Sequence, residues 1–365
     1  MKSNVAPCSH DATELSIGRT RIPSLDGLRA ISIILVLMGH GIRGRPRSFA
    51  FRTLFLHADL GVSVFFIISG FLITSLLLNE RLESGNISLG LFYIRRGLRI
   101  LPAFFLFVGC VAILSGLRLV PVPPRFWLYV VTYTVNFAPQ YPWVLGHLWS
   151  LCVEEQFYLL WPLAVKLATP RMCTALALFA IFANPATHAV EQLTHVHLAT
   201  SAFPFVCGPI AMGCLLAMWS RRVQSAIISS NFLSNDRILL LALALIAMLD
   251  SAIQYAPHFF LRIILNGVLT LCVARLIFLP TGVAGRVLNS RPVVLIGKLS
   301  YSLYLWQQLF LNFTSSATIP IPFPGNFVAT FAAASACYWG LEVRFLVLRK
   351  KFRKVSQPGK VLQPA

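Results

Sequence analysis

Charge is scarce in this chain of 365 residues: Asp, Glu, Lys and Arg together make up 12% of it, and only 12 residues are acidic. Soluble domains carry about a quarter charged residues, so a soluble globular enzyme is excluded, and so is a separate soluble domain of about 100 residues or more. Eight cysteines are present, but no C-x-x-C occurs and most lie inside apolar stretches. They read as small hydrophobes, not as a disulfide framework. Histidine and cysteine show no ligand spacing, so no metal is expected. The basic residues form no groove interleaved with aromatics, which argues against nucleic acid. No internal repeat is visible. Residues 1–20 are polar and lack the apolar core of a cleavable leader, so the first apolar run is expected to stay as a membrane helix.

Apolar residues make up 57% of the chain, and the mean hydropathy is +0.73. This composition belongs to an all-α polytopic membrane protein. A spanning helix takes about 20 apolar residues. Apolar runs predict ten, at 24–42, 58–79, 96–117, 147–168, 172–187, 202–220, 237–254, 259–280, 293–314 and 326–348. The stretch Trp127–Phe137 is apolar but short, and Pro121, Pro123, Pro124 and Pro139 bound it. It reads as a re-entrant or interfacial segment.

The net charge of +19 comes from 31 basic residues, clustered between apolar runs as in cytoplasmic loops that touch anionic lipid. With ten spans and both termini in the cytoplasm, most of these residues fall inside. The exception is a first outer loop with Arg43, Arg45, Arg47 and Arg52. The expected organisation is a cytoplasmic tail (1–20), a membrane unit (21–348) and a basic cytoplasmic tail (349–365). The expected location is a bacterial inner (plasma) membrane.

Ionisable groups inside a membrane are costly and by default mark function. In SLDGLRAISIILVLMGHG, Arg29 and His40 are eleven residues apart, so they share a face about 16 Å apart along the axis. Asp26 stands one turn before Arg29 and can pair with it. Imidazole suits general-base chemistry near neutral pH. The bland alternative is a helix-starting Asp26, a snorkelling Arg29 and an interfacial His40. FYIRRGLRILP carries Arg95, Arg96 and Arg99, with Arg96 and Arg99 on one face. These guanidiniums either bind phosphate or anchor the helix at the inner surface. GHLWSLCVEEQFYLLWP places Glu154 and Glu155 inside an apolar helix, with His147 on nearly the same face as Glu154 and Tyr158 one turn beyond it. The carboxylates either serve a site or pair with the arginines of another span. IGKLSYSLYLWQQLF offers Tyr301, Tyr304, Trp306, Gln307 and Gln308, suited to sugar or acyl recognition or to an aromatic belt with interhelical contacts. Gly61 and Gly70 read as packing points between helices.

Together these four motifs and GVSVFFIISGFLIT resemble the acyltransferase-3 family of integral membrane O-acyltransferases, over residues 21–345. The resemblance implies a bundle of about ten spans. It also implies transfer of an acyl group, often acetyl, from cytoplasmic acyl-CoA to a hydroxyl of a glycan, lipid-linked sugar or related acceptor. Acyl-CoA would be a co-substrate, with no bound cofactor and with membrane lipids around the bundle. The family's Arg-x10-His pattern falls on Arg29 and His40, its Arg-x-x-Arg pattern on Arg96 and Arg99, and its acidic pair on Glu154 and Glu155. By this resemblance His40, Glu154 and Glu155 are the candidate catalytic residues. Arg29, Arg95, Arg96 and Arg99 are candidates for donor binding, and Asp26, His147, Tyr158, Tyr304 and Gln307 for supporting roles. One departure stands out: Gln307 occupies a position that is often His. Some relatives carry a hydrolase-like domain after the last span; none is expected here, so the membrane unit is expected to deliver the acyl group alone or to hand it to another protein. A second class also fits the polar residues, a proton-coupled transporter with Arg29, His40 and Glu154 as its relay. It lacks the expected inverted repeat with paired broken helices.

Overall fold

The structure, a computed structural model, describes residues 22, 24–41, 57–194, 206–255, 259–312 and 319–352. The N-terminal tail, the four arginines of the first outer loop and most of the basic tail lie outside the described residues. Helices stand at all ten expected positions: α1 (Leu25–Gly41), α2 (Ala58–Ser84), α3 (Leu89–Gly116), α6 (Leu148–Leu167), α7 (Pro170–Thr194), α8 (Gly208–Met218), α10 (Asp236–Tyr255), α11 (Phe259–Phe278), α13 (Arg291–Phe310) and α14 (Gly325–Cys337). A π-helical turn, Tyr338–Glu342, carries α14 on into α15 (Val343–Lys350). Shorter pieces are α4 (Phe126–Val131), α5 (Trp143–Gly146), α9 (Ser220–Ser229) and α12 (Gly282–Leu288). No strand occurs among the described residues. The protein is an all-α polytopic membrane protein.

Among the described residues, four stretches are long and apolar enough to cross a bilayer: Ala58–Ser84, Leu89–Gly116, Leu261–Phe278 and Gly325–Lys350. Of the helices that carry the polar motifs, α3 is among them and α1, α6 and α13 are not. α1 has only 17 residues, and α6 and α13 hold carboxylates, glutamines or tyrosines where a plain span has leucine.

The segment 126–137 does not form a span. α4 has six residues, about 9 Å of helix, against a hydrocarbon core of about 30 Å. A 3₁₀ turn at Val135–Phe137 follows it. Gln156 of α6 pins the segment, donating from Nε2 to the Tyr133 carbonyl at 2.9 Å and to Asn136 Oδ1 at 3.0 Å.

Large apolar side chains are widely exposed on the surface, and a set of polar side chains is buried within an apolar interior. Leu240 and Leu241 are about two-thirds exposed, while Gln307 and Asn326 are fully buried and Gln308 and His147 nearly so. Glycine sets how closely the helices cross. On α2, Gly70 has the Ile210 carbonyl of α8 where a Cβ would sit, and on α8, Gly213 meets the Ile67 carbonyl in the same way. Gly297 of α13 likewise abuts the Asp26 carbonyl of α1. Small residues allow this approach in a bilayer, where packing rather than burial from water joins helices. Phe71, Phe104, Phe107 and Ile67 fill the interior around these crossings.

Candidate active site

Five helices converge on a cavity of about 90 Å³, room for roughly three waters or a small acyl group. α1 supplies Arg29, α2 Ser69, α3 Arg96 and Arg99, α6 Ser150, Glu154 and Tyr158, and α13 Ser300, Tyr301 and Tyr304. Motifs that lie more than 250 residues apart in the chain thus share one wall.

The cavity is cationic. Among the described residues, Arg29, Arg96 and Arg99 make no hydrogen bond or ion pair with a carboxylate. All three act electrostatically on Glu154, the one carboxylate among the described residues that line the space. Arg96 rests between two rings, its guanidinium carbon 5.6 Å from the centroid of Phe92 and 5.4 Å from that of Tyr158, a cation–π seat that fixes the side chain without using its N–H donors. The pairing expected between Asp26 and Arg29 is not formed as an ion pair; Asp26 acts on Arg29 only at longer range.

Two other arginines near helix ends are committed. Arg95 pairs with Glu80 at 3.3 Å and donates to the Phe352 carbonyl. Arg275, nearly buried, donates to Asp236 at 3.0 Å and to the Ser234 and Leu279 carbonyls. These two tie helix ends together. Arg29, Arg96 and Arg99 keep their donors for something that enters the cavity, and guanidinium forks match anionic oxygens.

Glu154 and Glu155 face different surroundings. The Ser69 hydroxyl donates to Glu154 Oε1, and the Tyr158 hydroxyl donates to Ser69 Oγ at 3.1 Å. Glu155 does not line the cavity. Its Oε1 is buried with no hydrogen-bond partner, and its charge acts on Tyr133 and Tyr301.

His40 sits beyond the cavity wall. Its Nδ1 lies 2.7 Å from Gln307 Oε1; that carbonyl oxygen accepts, and in the neutral tautomer with the proton on Nδ1 the lone pair is on Nε2. The Trp143 ring meets the imidazole edge-on, with centroids 5.4 Å apart. Trp143 Nε1 and Gln307 Nε2 are buried donors without acceptors, which a folded protein rarely leaves unmet. The next residue, Gln308, accepts from both the backbone N–H and Nδ1 of His147 at 2.9 Å. Two consecutive amides of α13 thus hold two imidazoles from other helices. Tyr304 links this end to the cavity. Its hydroxyl donates to the His147 carbonyl at 2.9 Å and touches Ser150 Oγ, and its ring is 5.4 Å from the His147 ring.

The sequence singled out neither Ser69, Ser150 nor Trp143. Ser69 was visible as the single hydroxyl in the apolar run FFIISGFLI. The partnership of Gln307 with His40, 267 residues away, had no local signal.

A family model described as an acyltransferase domain, that of the acyltransferase-3 family, matches residues 22–342. The chain belongs to this family. It is 30% identical over 328 residues to the O-acetyltransferase OatA of Staphylococcus aureus, an alignment that covers 81% of this chain and 51% of that protein. It is 25% identical over 372 residues to the peptidoglycan O-acetyltransferase OatA of Listeria monocytogenes, covering 93% of this chain and 56% of that one. The chain thus spans about half the length of these curated relatives. No solved structure matches it.

Proposed function

We propose that this protein is a membrane O-acetyltransferase that moves an acetyl group from cytoplasmic acetyl-CoA to a hydroxyl of a cell-envelope glycan or lipid-linked sugar. The observation that carries the reading is the cavity in which three guanidiniums keep their donors unspent around one hydrogen-bonded carboxylate. The names of the relatives support acetyl as the group transferred and a glycan as the acceptor class. The positive-inside bias supports an orientation with both ends of the chain in the cytoplasm. Arg29, near the start of α1, and Arg96 and Arg99, in the first turns of α3, then lie toward the cytoplasmic face.

In this reading the CoA phosphates dock on Arg96 and Arg99, with Arg29 deeper, and the thioester reaches the cavity. His40 acts as general base through Nε2 on the acceptor hydroxyl, its ring held by Gln307 and Trp143. Arg29 stabilises negative charge that develops on the carbonyl oxygen. Glu154 balances the cationic cavity. Arg95, spent on Glu80, contributes to the helix ends rather than to the donor.

Membrane vesicles of known sidedness test this. Radiolabelled acetyl-CoA is supplied to inverted and to right-side-out vesicles that hold a glycan or lipid-linked acceptor. Label is expected in the acceptor with inverted vesicles alone, and not with Arg96→Ala. Labelling only when acetyl-CoA bathes the opposite face would contradict the orientation and the donor site together.

A further inference from the structure

The mechanism above leaves unused the most tightly linked group in the cavity. Ser69 lies in the twelfth position of α2, about 16 Å along the helix from its first residue, close to the middle of a span. Its hydroxyl proton points at the Glu154 carboxylate and its oxygen accepts from the Tyr158 hydroxyl. It is half-buried and lines the same space as the three unpaired guanidiniums. A hydroxyl with a carboxylate to take its proton, a phenol to steady the resulting oxygen, and cations beside the reacting carbonyl make up the parts of an activated nucleophile.

We infer that Ser69 is a catalytic nucleophile that carries the acyl group as a covalent ester between donor and acceptor. The inference rests on the acyl-CoA reading of the cavity and divides the transfer into two steps. In the first, Ser69 Oγ attacks the thioester carbonyl; the Oγ–C bond forms and the C–S bond breaks. The hydroxyl proton passes to Glu154 and from there to the departing thiolate, so the donor leaves as a thiol. In the second, the acceptor hydroxyl attacks the ester carbonyl, the Oγ–C bond breaks, and the acceptor's proton ends on Oγ. A carrier at mid-span answers a geometric need: donor and acceptor approach from opposite faces, and neither must cross the whole bilayer.

The test needs no acceptor. The full chain in detergent or nanodiscs receives unlabelled acetyl-CoA and radiolabelled CoA. A covalent intermediate returns label to acetyl-CoA by reversal of the first step. The wild type is expected to catalyse this exchange. Ser69→Ala is expected to lose it at least 100-fold while still binding CoA. Ser69→Cys is expected to hold acetyl as a hydroxylamine-labile thioester on the peptide that contains residue 69. Wild-type protein that acetylates an acceptor without exchange, or Ser69→Ala that exchanges normally, overturns the carrier. Where Ser69→Ala fails to give a monodisperse protein, Ser69→Cys decides: an active Cys variant with no acetyl on residue 69 overturns the carrier as well. A wild type that neither exchanges nor transfers with acetyl-CoA overturns the donor reading itself, a different result from loss of the carrier alone.

Discussion

At the arginine end of the site, three guanidiniums face a cavity with a single carboxylate among them. At the histidine end, two imidazoles are each hydrogen-bonded to an amide, and an indole lies edge-on to one of them. The first arrangement suits a ligand that brings its own negative charge, since three unpaired cations in a membrane are costly until an anion arrives. The second suits an uncharged hydroxyl, which needs a lone pair to take its proton and donors to hold its oxygen. α13 joins the two ends, with Tyr301 and Tyr304 on the cavity and Gln307 and Gln308 on the histidines.

This contrast breaks most readily at the arginines. Arg96→Ala and Arg99→Ala each remove a charge-assisted contact to phosphate. Acetyl transfer from acetyl-CoA is expected to fall about 100-fold, mainly through a higher donor KM. An unchanged donor KM in membrane assays would separate these arginines from the donor. Next comes the opposite end. Gln307→Ala frees the His40 ring without touching the cavity, so kcat is expected to fall about tenfold while the donor KM stays the same; a shift in donor KM would blur the division between the ends. The shared scaffold gives a smaller and different effect. Gly70→Val drives a side chain into the Ile210 carbonyl and should cost about 1–3 kcal/mol of stability. Thermal unfolding in detergent reads that cost, and the donor KM of the folded fraction should be unaltered. The smallest effect belongs to Arg95→Ala. Its partly exposed pair with Glu80 is worth about 1 kcal/mol at most, and transfer should stay within about twofold of wild type. A loss as large as that of Arg96→Ala would place Arg95 in the site after all.

Much of the fold was legible because helix-length apolar runs report themselves locally: every expected run coincides with a helix, and the short, proline-bounded Trp127–Phe137 stretch does not span. Much of the cavity's lining was legible for the opposite reason, since Arg29, Arg96, Arg99 and Glu154 stand out against apolar neighbours. Which helices meet was not legible. Periodicity places Glu154 and Glu155 on adjacent faces, but only the packing of α6 between α2 and the 126–137 segment turns one toward Ser69 and the other toward Tyr133. Nor did the sequence separate Arg95, spent on Glu80, from Arg96, held between two rings. The i,i+3 spacing of Asp26 and Arg29 suggested an ion pair, yet Arg29 turns into the cavity instead. Helical phase says which way a side chain leaves its own helix, and its partners come from elsewhere in the chain.

The most direct test of the central claim uses membranes with matched amounts of wild-type protein or His40→Ala, supplied with radiolabelled acetyl-CoA and a glycan or lipid-linked extract. The account predicts label in the acceptor with the wild type and its loss with His40→Ala. Undiminished transfer by His40→Ala would contradict it and would move the base to the carboxylates of α6.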